Sequence, residues 1–99
     1  MFMNEFFKEE FKIGDSTKVR ITRYNTIEES YYVNDQLHRE DGPAYTIYER
    51  YSGKIVRQIY YINGKTHRRN GPAIICYDEK GFIVAQAYYF NDEKVGERL

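Results

Sequence analysis

Apolar and polar residues alternate along most of this chain with a period of two, the spacing typical of β-strands. Polar stretches that contain glycine interrupt the alternation, so the pattern predicts strands joined by turns. Three antiparallel hairpins are predicted, formed by residues 17–24 with 27–33, 44–50 with 55–62, and 73–78 with 82–90. Both faces of these strands carry apolar residues and tyrosines. We therefore expect a mainly β fold, an antiparallel meander of repeated hairpins partly buried on both faces.

The N-terminal segment departs from this alternation and predicts a different element. Its apolar residues form an uneven stripe at Phe2, Phe6, Phe7 and Phe11. Asn4 can cap a helix and Gly14 can end one, because these residue types are favoured at the two helix termini. We therefore predict a short N-terminal helix over residues 4–12 that covers one face or end of the sheet, with an additional strand as the alternative.

Two long segments of the chain repeat each other. Residues 31–44 are YYVNDQLHREDGPA and residues 60–73 are YYINGKTHRRNGPA, at an offset of 29. A third copy begins at Tyr88, where Val95 and Gly96 replace the His-Arg pair. Self-similarity of this length is typical of repeat proteins, whose terminal units deviate from the pattern. The predicted organisation is one domain over residues 1–99, with a helical segment over 1–14 and hairpin repeats of 28–29 residues over 15–99.

Each complete repeat ends in a polar loop that closes with Gly-Pro. In such a turn, Asp or Asn bonds its own backbone, glycine adopts unusual φ values and proline fixes the entry to the next strand. The His-Arg pair in each loop has the chemistry of a general base or a metal ligand, since histidine titrates near neutrality. Because the pairs recur at equivalent positions, we interpret them as structural, holding the loop through backbone carbonyls or neighbouring acids. The residues predicted to be structural are His38, Arg39, Gly42, Pro43, His67, Gly71 and Pro72.

The composition excludes several classes of protein. Fifteen Lys and Arg balance fifteen Asp and Glu, and this zero net charge argues against a strongly basic nucleic-acid binder. The one cysteine, Cys76, excludes an intramolecular disulfide and a multi-cysteine zinc site. No apolar run approaches the roughly 20 residues that span a bilayer, and the N-terminus lacks the pattern of a signal peptide. We expect a cytoplasmic protein without cofactor, metal or membrane partner.

Charge is nevertheless uneven along the chain. Residues 31–70 carry seven Lys and Arg against four Asp and Glu, a net charge of +3. This basic centre combines arginine with tyrosine, the residue types that dominate binding hot spots between proteins. Basic residues beside aromatic rings also bind nucleic acids or nucleotides, which leaves those ligands as an alternative. The predicted partner-binding residues are Arg57, Tyr60, Tyr61, Arg68 and Arg69.

The repeated string Tyr-Tyr-x-Asn-(Gly/Asp)-x-x-His-Arg-x-(Asp/Asn)-Gly-Pro-Ala resembles a divergent MORN-like repeat. The resemblance covers residues 31 to about 94. Similar strings occur in small proteins of bacteriophages, prophages and giant viruses. The resemblance implies hairpins stacked side by side in an extended, curled and open antiparallel sheet. It also implies a binding or scaffolding role and no catalytic residues.

No motif in the sequence supports an enzyme. Our leading hypothesis is a phage-type accessory protein that binds and inhibits a host protein, such as a CRISPR effector or another defence component, by occlusion. The second hypothesis is a nucleotide- or nucleic-acid-binding protein that sequesters its ligand. The third is a structural module that self-assembles into homo-oligomers through edge strands, with residues 17–24 and the strand ending at Phe90 as the candidate edges.

Overall fold

The computed structural model describes residues 6–99, and this part of the chain forms β-strands and no helix. Its many aromatic and β-branched residues suit a pleated, half-buried surface, which favours extended backbone. The strands are β1 (Phe7–Ile13), β2 (Ser16–Thr22), β3 (Thr26–Val33), β4 (Gln36–Leu37), β5 (Tyr45–Glu49), β6 (Ile55–Ile59), β7 (Tyr61–Ile62), β8 (Lys65–Thr66), β9 (Ile74–Tyr77), β10 (Ile83–Phe90) and β11 (Glu93–Arg98).

The strands form one wide antiparallel sheet with a small additional ladder. The sheet has the order β1-β2-β3-β5-β6-β9-β10-β11, β4 pairs with the end of β3, and β7 pairs with β8. Among residues 6–99, β1 and β11 have one neighbour each, so the sheet is open and not closed into a barrel. The prediction of a mainly β, antiparallel fold is confirmed. The three predicted hairpins are present as β2–β3, β5–β6 and β9–β10.

The predicted N-terminal helix is wrong where the structure describes it. Phe7–Ile13 is a strand, and all seven of its residues pair with β2 in one antiparallel register. Gly14 has a φ of 62° and leads into a tight turn rather than the end of a helix. The physical reason is tertiary, because β2 presents a row of backbone groups that this segment pairs by extending. The predicted cap, Asn4, lies outside the described residues.

The strands predicted to be the sheet edges lie inside the sheet. β2 stands between β1 and β3, and β10, which ends at Phe90, stands between β9 and β11. An N-terminal strand was the alternative prediction, and β1 agrees with it, but the candidate edges were chosen without β1 and β11 and therefore lie one strand too far inward. The edges of the described sheet are β1 and β11.

The polar loop that follows each Tyr-Tyr pair contains a tight turn that was not predicted. Both central residues of each turn have positive φ, which defines the type I′ turn of two-residue hairpins. Asparagine opens every one of these turns, in agreement with the strong preference for Asn-Gly in this geometry. The turns join β3 to β4, β7 to β8 and β10 to β11. Their central residues are Asn34-Asp35, Asn63-Gly64 and Asn91-Asp92.

The first tyrosine of each complete repeat marks the point where its strand changes neighbours. The backbone N–H of Tyr60 donates to the carbonyl of Ala73 at 2.8 Å, and its carbonyl accepts from the N–H of His67 at 3.0 Å. The loop from His67 to Ala73 therefore leaves and rejoins the sheet at one residue. Ala73 has no exposed surface there. The same two bonds, at 2.8 and 2.9 Å, occur one repeat earlier between Tyr31, Ala44 and His38.

Buried side chains lie on both faces of the sheet. Thr46 and Ile75 stand opposite Gln58 on neighbouring strands and share its face, whereas Ile59 points to the other face. Side chains are thus buried in a thin layer on each face of the sheet, whereas a β-sandwich buries them in one core between two sheets. The buried apolar residues are Val19, Ala44, Ile59, Ala73 and Ile75.

Candidate functional site

The arginine of the second repeat is held by its own repeat unit. The guanidinium of Arg68 lies over the ring of Tyr60, 4.0 Å from the centroid, and its Nη1 donates to the carbonyl of Pro72 at 3.1 Å. A Cβ added to Gly71 would lie 2.9 Å from that Nη1, so a larger residue would require the stacked guanidinium to shift. The Tyr, Arg and Gly of the motif therefore form one packed unit.

The first repeat builds the same unit, and the third does not. Arg39 lies 4.1 Å from the centroid of the Tyr31 ring and donates to the carbonyl of Pro43 at 3.2 Å. In the third unit Gly96 stands at the arginine position, opposite Tyr88 on β10. β11 continues there as a hairpin strand, so the third unit has no loop of this kind within residues 6–99.

The two histidines connect each repeat to the next. Nδ1 of His38 accepts a hydrogen bond from the backbone N–H of Asn63 at 2.9 Å. Nδ1 of His67 accepts from the N–H of Asn91 at 3.1 Å, and its ring lies 4.5 Å from that of Phe90. Both donors, Asn63 and Asn91, are the first residues of the type I′ turn in the following unit. One ring nitrogen of each histidine, Nδ1, is thus engaged in holding two repeats together.

A groove of about 330 Å³ opens between the His-Arg loops of the first and second repeats. Three arginines and one glutamate give it a basic character, and a tyrosine and an isoleucine supply apolar surface. The residues that line it are Arg39, Glu40, Tyr60, Ile62, His67, Arg68 and Arg69.

The two loops differ in charge at equivalent positions. Glu40 and Asp41 of the first loop correspond to Arg69 and Asn70 of the second, at the offset of 29. Asp41 accepts from Nε of Arg39 at 3.1 Å, and Glu40 lies 3.3 Å from the ring of His38. Within residues 6–99, Arg69 is exposed and forms neither an ion pair nor a side-chain hydrogen bond. The second loop therefore keeps the structural contacts of the first and presents positive charge in place of a neutralised cluster.

The structure brings three of the five predicted partner-binding residues together. Tyr60, Arg68 and Arg69 line the groove. Arg57 is exposed, and its backbone is paired with that of Cys76 on β9. Its side chain and that of Tyr61 lie on the face of the strand opposite to that of Tyr60. These two residues are separated from the groove by the sheet itself.

Sequence reasoning missed four residues of the groove as candidate binding residues. Ile62 is two residues from Tyr60 and lies on the same face of the strand. The period of two in a strand could have identified it as a neighbour of Tyr60. Arg39 and Glu40 belong to the preceding repeat, which only the stacking of units brings alongside. His67 had been identified by its place in the motif and assigned a structural role.

A wider groove of about 800 Å³ lies at the hairpin tips, between the turns before Thr26, Ile55 and Phe82. Its polar groups are largely occupied in holding those turns. Nζ of Lys54 donates to the carbonyl of Glu79 at 2.9 Å, and Asp78 accepts from two backbone N–H groups of its own turn. The groove between the loops is the better candidate site, because it presents Arg69, which forms no ion pair in the described part of the chain.

Tyrosine hydroxyls link neighbouring repeats across one face of the sheet. The hydroxyl of Tyr48 donates to Oε1 of Glu29 at 3.3 Å, and that of Tyr77 donates to Oε1 of Gln58 at 2.6 Å. Burial raises the pKa of Tyr48, and the Glu29 carboxylate raises it further. Burial likewise raises the pKa of Tyr77. Both tyrosines are therefore held in the neutral, donating form.

These shifts predict a loss of stability in alkaline solution. A raised folded-state pKa contributes stability that is fully present below the unfolded value of about 10 and is lost as pH rises through the folded value. We expect the free energy of unfolding to fall above about pH 10, measured by urea unfolding at a series of pH values. Tyr48→Phe should make this fall shallower, and Tyr51→Phe, at an exposed ring, should not. An equally steep fall in both variants would contradict the assignment.

Within residues 6–99 no group of three His, Cys, Asp or Glu side chains is arranged to hold a metal ion. The same residues include no helix long and apolar enough to cross a membrane. Comparison with protein-family models, curated proteins and solved structures finds no match for this chain.

Proposed function

We propose that this chain is a non-catalytic binding protein that engages a protein partner through the groove between its first two His-Arg loops. The observation that carries the proposal is the charge difference between two otherwise matching loops. Structural residues recur in both repeats, whereas Arg69 and Asn70 replace two acids and form no ion pair or side-chain hydrogen bond within residues 6–99. A loop that matches its counterpart from His to Ala except at two exposed positions has the features of one specialised for an external ligand.

The chemistry of the groove favours an acidic segment of a folded protein. Arg69 is available for a carboxylate, and Arg68 beside it is already ordered by Tyr60 and Pro72, so little conformational entropy is lost on binding. Tyr60 and Ile62 supply apolar contact next to these charges. Arginine and tyrosine in a preorganised pocket are the features of a binding hot spot. The zero net charge of the chain disfavours nucleic acid, whose binding depends on many phosphate contacts.

The biological setting in this proposal is a phage-type accessory protein that acts in the cytoplasm of a bacterial host. It would bind a host protein, such as a defence component, and inhibit it by covering a functional surface. The resemblance of the repeated string to the MORN-like strings of small phage proteins supports this setting. A wide sheet with preordered loops is suited to inhibition by occlusion.

The test converts the second loop into a copy of the first. The double variant Arg69→Glu with Asn70→Asp should fold, because the first loop already carries these residues at equivalent positions. Wild type and variant are used as baits in a nuclease-treated bacterial lysate, with Lys80→Glu, in an exposed turn, as the matched charge reversal. We expect a protein that binds wild type and the Lys80 variant, and whose recovery with the double variant falls at least tenfold.

Three outcomes would contradict the proposal. One is equal capture by the double variant, and another is no specific capture by wild type. The third is a ligand that is removed by nuclease or that absorbs at 260 nm in the purified protein, which would indicate a nucleic acid or nucleotide instead. Circular dichroism of each bait confirms that a loss of capture is not a loss of fold.

A further inference from the structure

The edge strand β1 is long, regular and exposed. All seven residues of Phe7–Ile13 pair with β2 without a register shift, and every one of them is exposed. Within residues 6–99 nothing pairs with its outer edge. Unpaired backbone N–H and C=O groups along such a strand form a template for a further strand.

The opposite edge of the sheet is protected in a way that β1 is not. The register between β10 and β11 shifts between Tyr88 and Tyr89, so Val95 is an extra residue in β11. A β-bulge of this kind twists an edge and interrupts its row of hydrogen-bonding groups. β1 has neither a bulge nor a proline. The two ends of the sheet therefore differ in their capacity to accept another strand.

β1 also carries exposed apolar side chains on one face. Its odd-numbered residues share that face, where Phe7 is 73% exposed, Phe11 39% and Ile13 54%, and Glu9 stands between the two phenylalanines. The ring of Phe11 lies 5.7 Å from the guanidinium carbon of Arg20. Large exposed apolar side chains at a sheet edge are typical of a surface that is covered in an assembly.

The charges of β1 select one self-complementary register. A two-fold axis perpendicular to the sheet pairs odd residues with odd and even with even, because each face is kept. A register centred on Glu10 opposes Lys8 to Lys12 and Glu10 to itself, and one centred on Glu9 opposes Glu9 to itself. The register centred on Phe11 opposes Glu10 to Lys12 twice, stacks Phe11 against its copy and brings no like charges together.

We propose that β1 pairs with β1 of a second copy of this chain, in antiparallel register around a two-fold axis at Phe11. The contact joins two open sheets into one continuous sheet by strand addition. It leaves the groove between the His-Arg loops untouched, so it is independent of the proposed function. Five residue pairs make a small interface, and the dimer therefore depends on protein concentration.

Charge reversal at Lys12 tests the interface and its register together. Sedimentation equilibrium over a concentration series should show wild type passing from monomer to dimer. Lys12→Glu places like charges opposite each other at two symmetric positions, and we expect it to weaken dimerisation about tenfold or more. The double variant Glu10→Lys with Lys12→Glu restores both opposite-charge pairs, and we expect it to recover most of the wild-type association.

Val95→Glu on the opposite edge is the matched control, and it should dimerise as wild type does, since Val95 is 65% exposed on β11. Far-UV circular dichroism of each variant checks that the strands are retained. A wild type that stays monomeric throughout the series would overturn the proposal. So would a dimer that persists in Lys12→Glu, or one that is lost in Val95→Glu.

Discussion

Ile75→Ala is expected to lower the free energy of unfolding by about 3 kcal/mol, because it leaves a cavity in one of the two thin buried layers. Ile75 is 7% exposed and lies in β9, between Gln58 of β6 and Gln86 of β10. In a domain of this size a loss of that magnitude lowers the Tm by more than about 10 °C. Urea unfolding followed by circular dichroism measures the change.

Ile83→Ala is the matched control, since it removes the same atoms from a side chain that is 50% exposed. It should cost less than about 1 kcal/mol. Equal losses in the free energy of unfolding for the two variants would show that Ile75 is no more buried than Ile83. That result would contradict the placement of Ile75 in the core.

Arg68→Ala is expected to cost about 2 kcal/mol of stability, and Arg69→Ala less than about 0.5 kcal/mol. The two arginines are adjacent in sequence and differ in their contacts. Arg68 loses its stack on Tyr60 and leaves the carbonyl of Pro72 without its donor, whereas Arg69 has no ion pair or side-chain hydrogen bond to lose within residues 6–99. Thermal and urea unfolding of both variants measure the difference.

The same pair of variants separates structure from binding. Arg69→Ala should weaken partner capture while the fold is unchanged. Arg68→Lys is a useful third variant, because lysine keeps the charge but cannot both stack as a plane and donate to the carbonyl. Arg68→Lys should therefore recover only part of the free energy of unfolding that Arg68→Ala loses. A stability loss at Arg69 as large as that at Arg68 would contradict the assignment of separate roles.

The repeat explains how a single loop can be specialised without harm to the fold. The stacked Tyr-Arg-Gly unit and the bond from each histidine to the next turn occur in both complete repeats. These contacts hold whichever residues occupy the two positions between Arg and Gly-Pro. Positions 69 and 70 can therefore change charge at little cost in stability.

Much of the sheet was predictable because a half-buried strand shows its periodicity directly in the sequence. Three hairpins and the two complete repeat units follow from period-two alternation and from the recurrence of His-Arg and Gly-Pro-Ala. The type I′ turns were missed, although Asn63-Gly64 is a strong hairpin signal. That information was local and present in the chain.

The candidate site was only partly predictable. The basic centre identified Tyr60, Arg68 and Arg69 correctly as neighbours. Arg57 and Tyr61 are as close in sequence, yet the strand turns them to the opposite face. Arg39 and Glu40 join the groove because the first loop packs beside the second, and neither spacing nor composition expresses that contact.

The sequence by itself determined the three hairpins, the repeat and the residues that each repeat needs, because these depend on local backbone preference and on alternation between two faces. Only the tertiary structure decided that residues 7–13 extend beside β2 rather than coil into a helix. It also decided which strands are edges and which arginine of the loops has no ion pair within residues 6–99. Each of these depends on what a neighbouring strand or loop offers in backbone groups, space and charge, and such neighbours are distant in the chain.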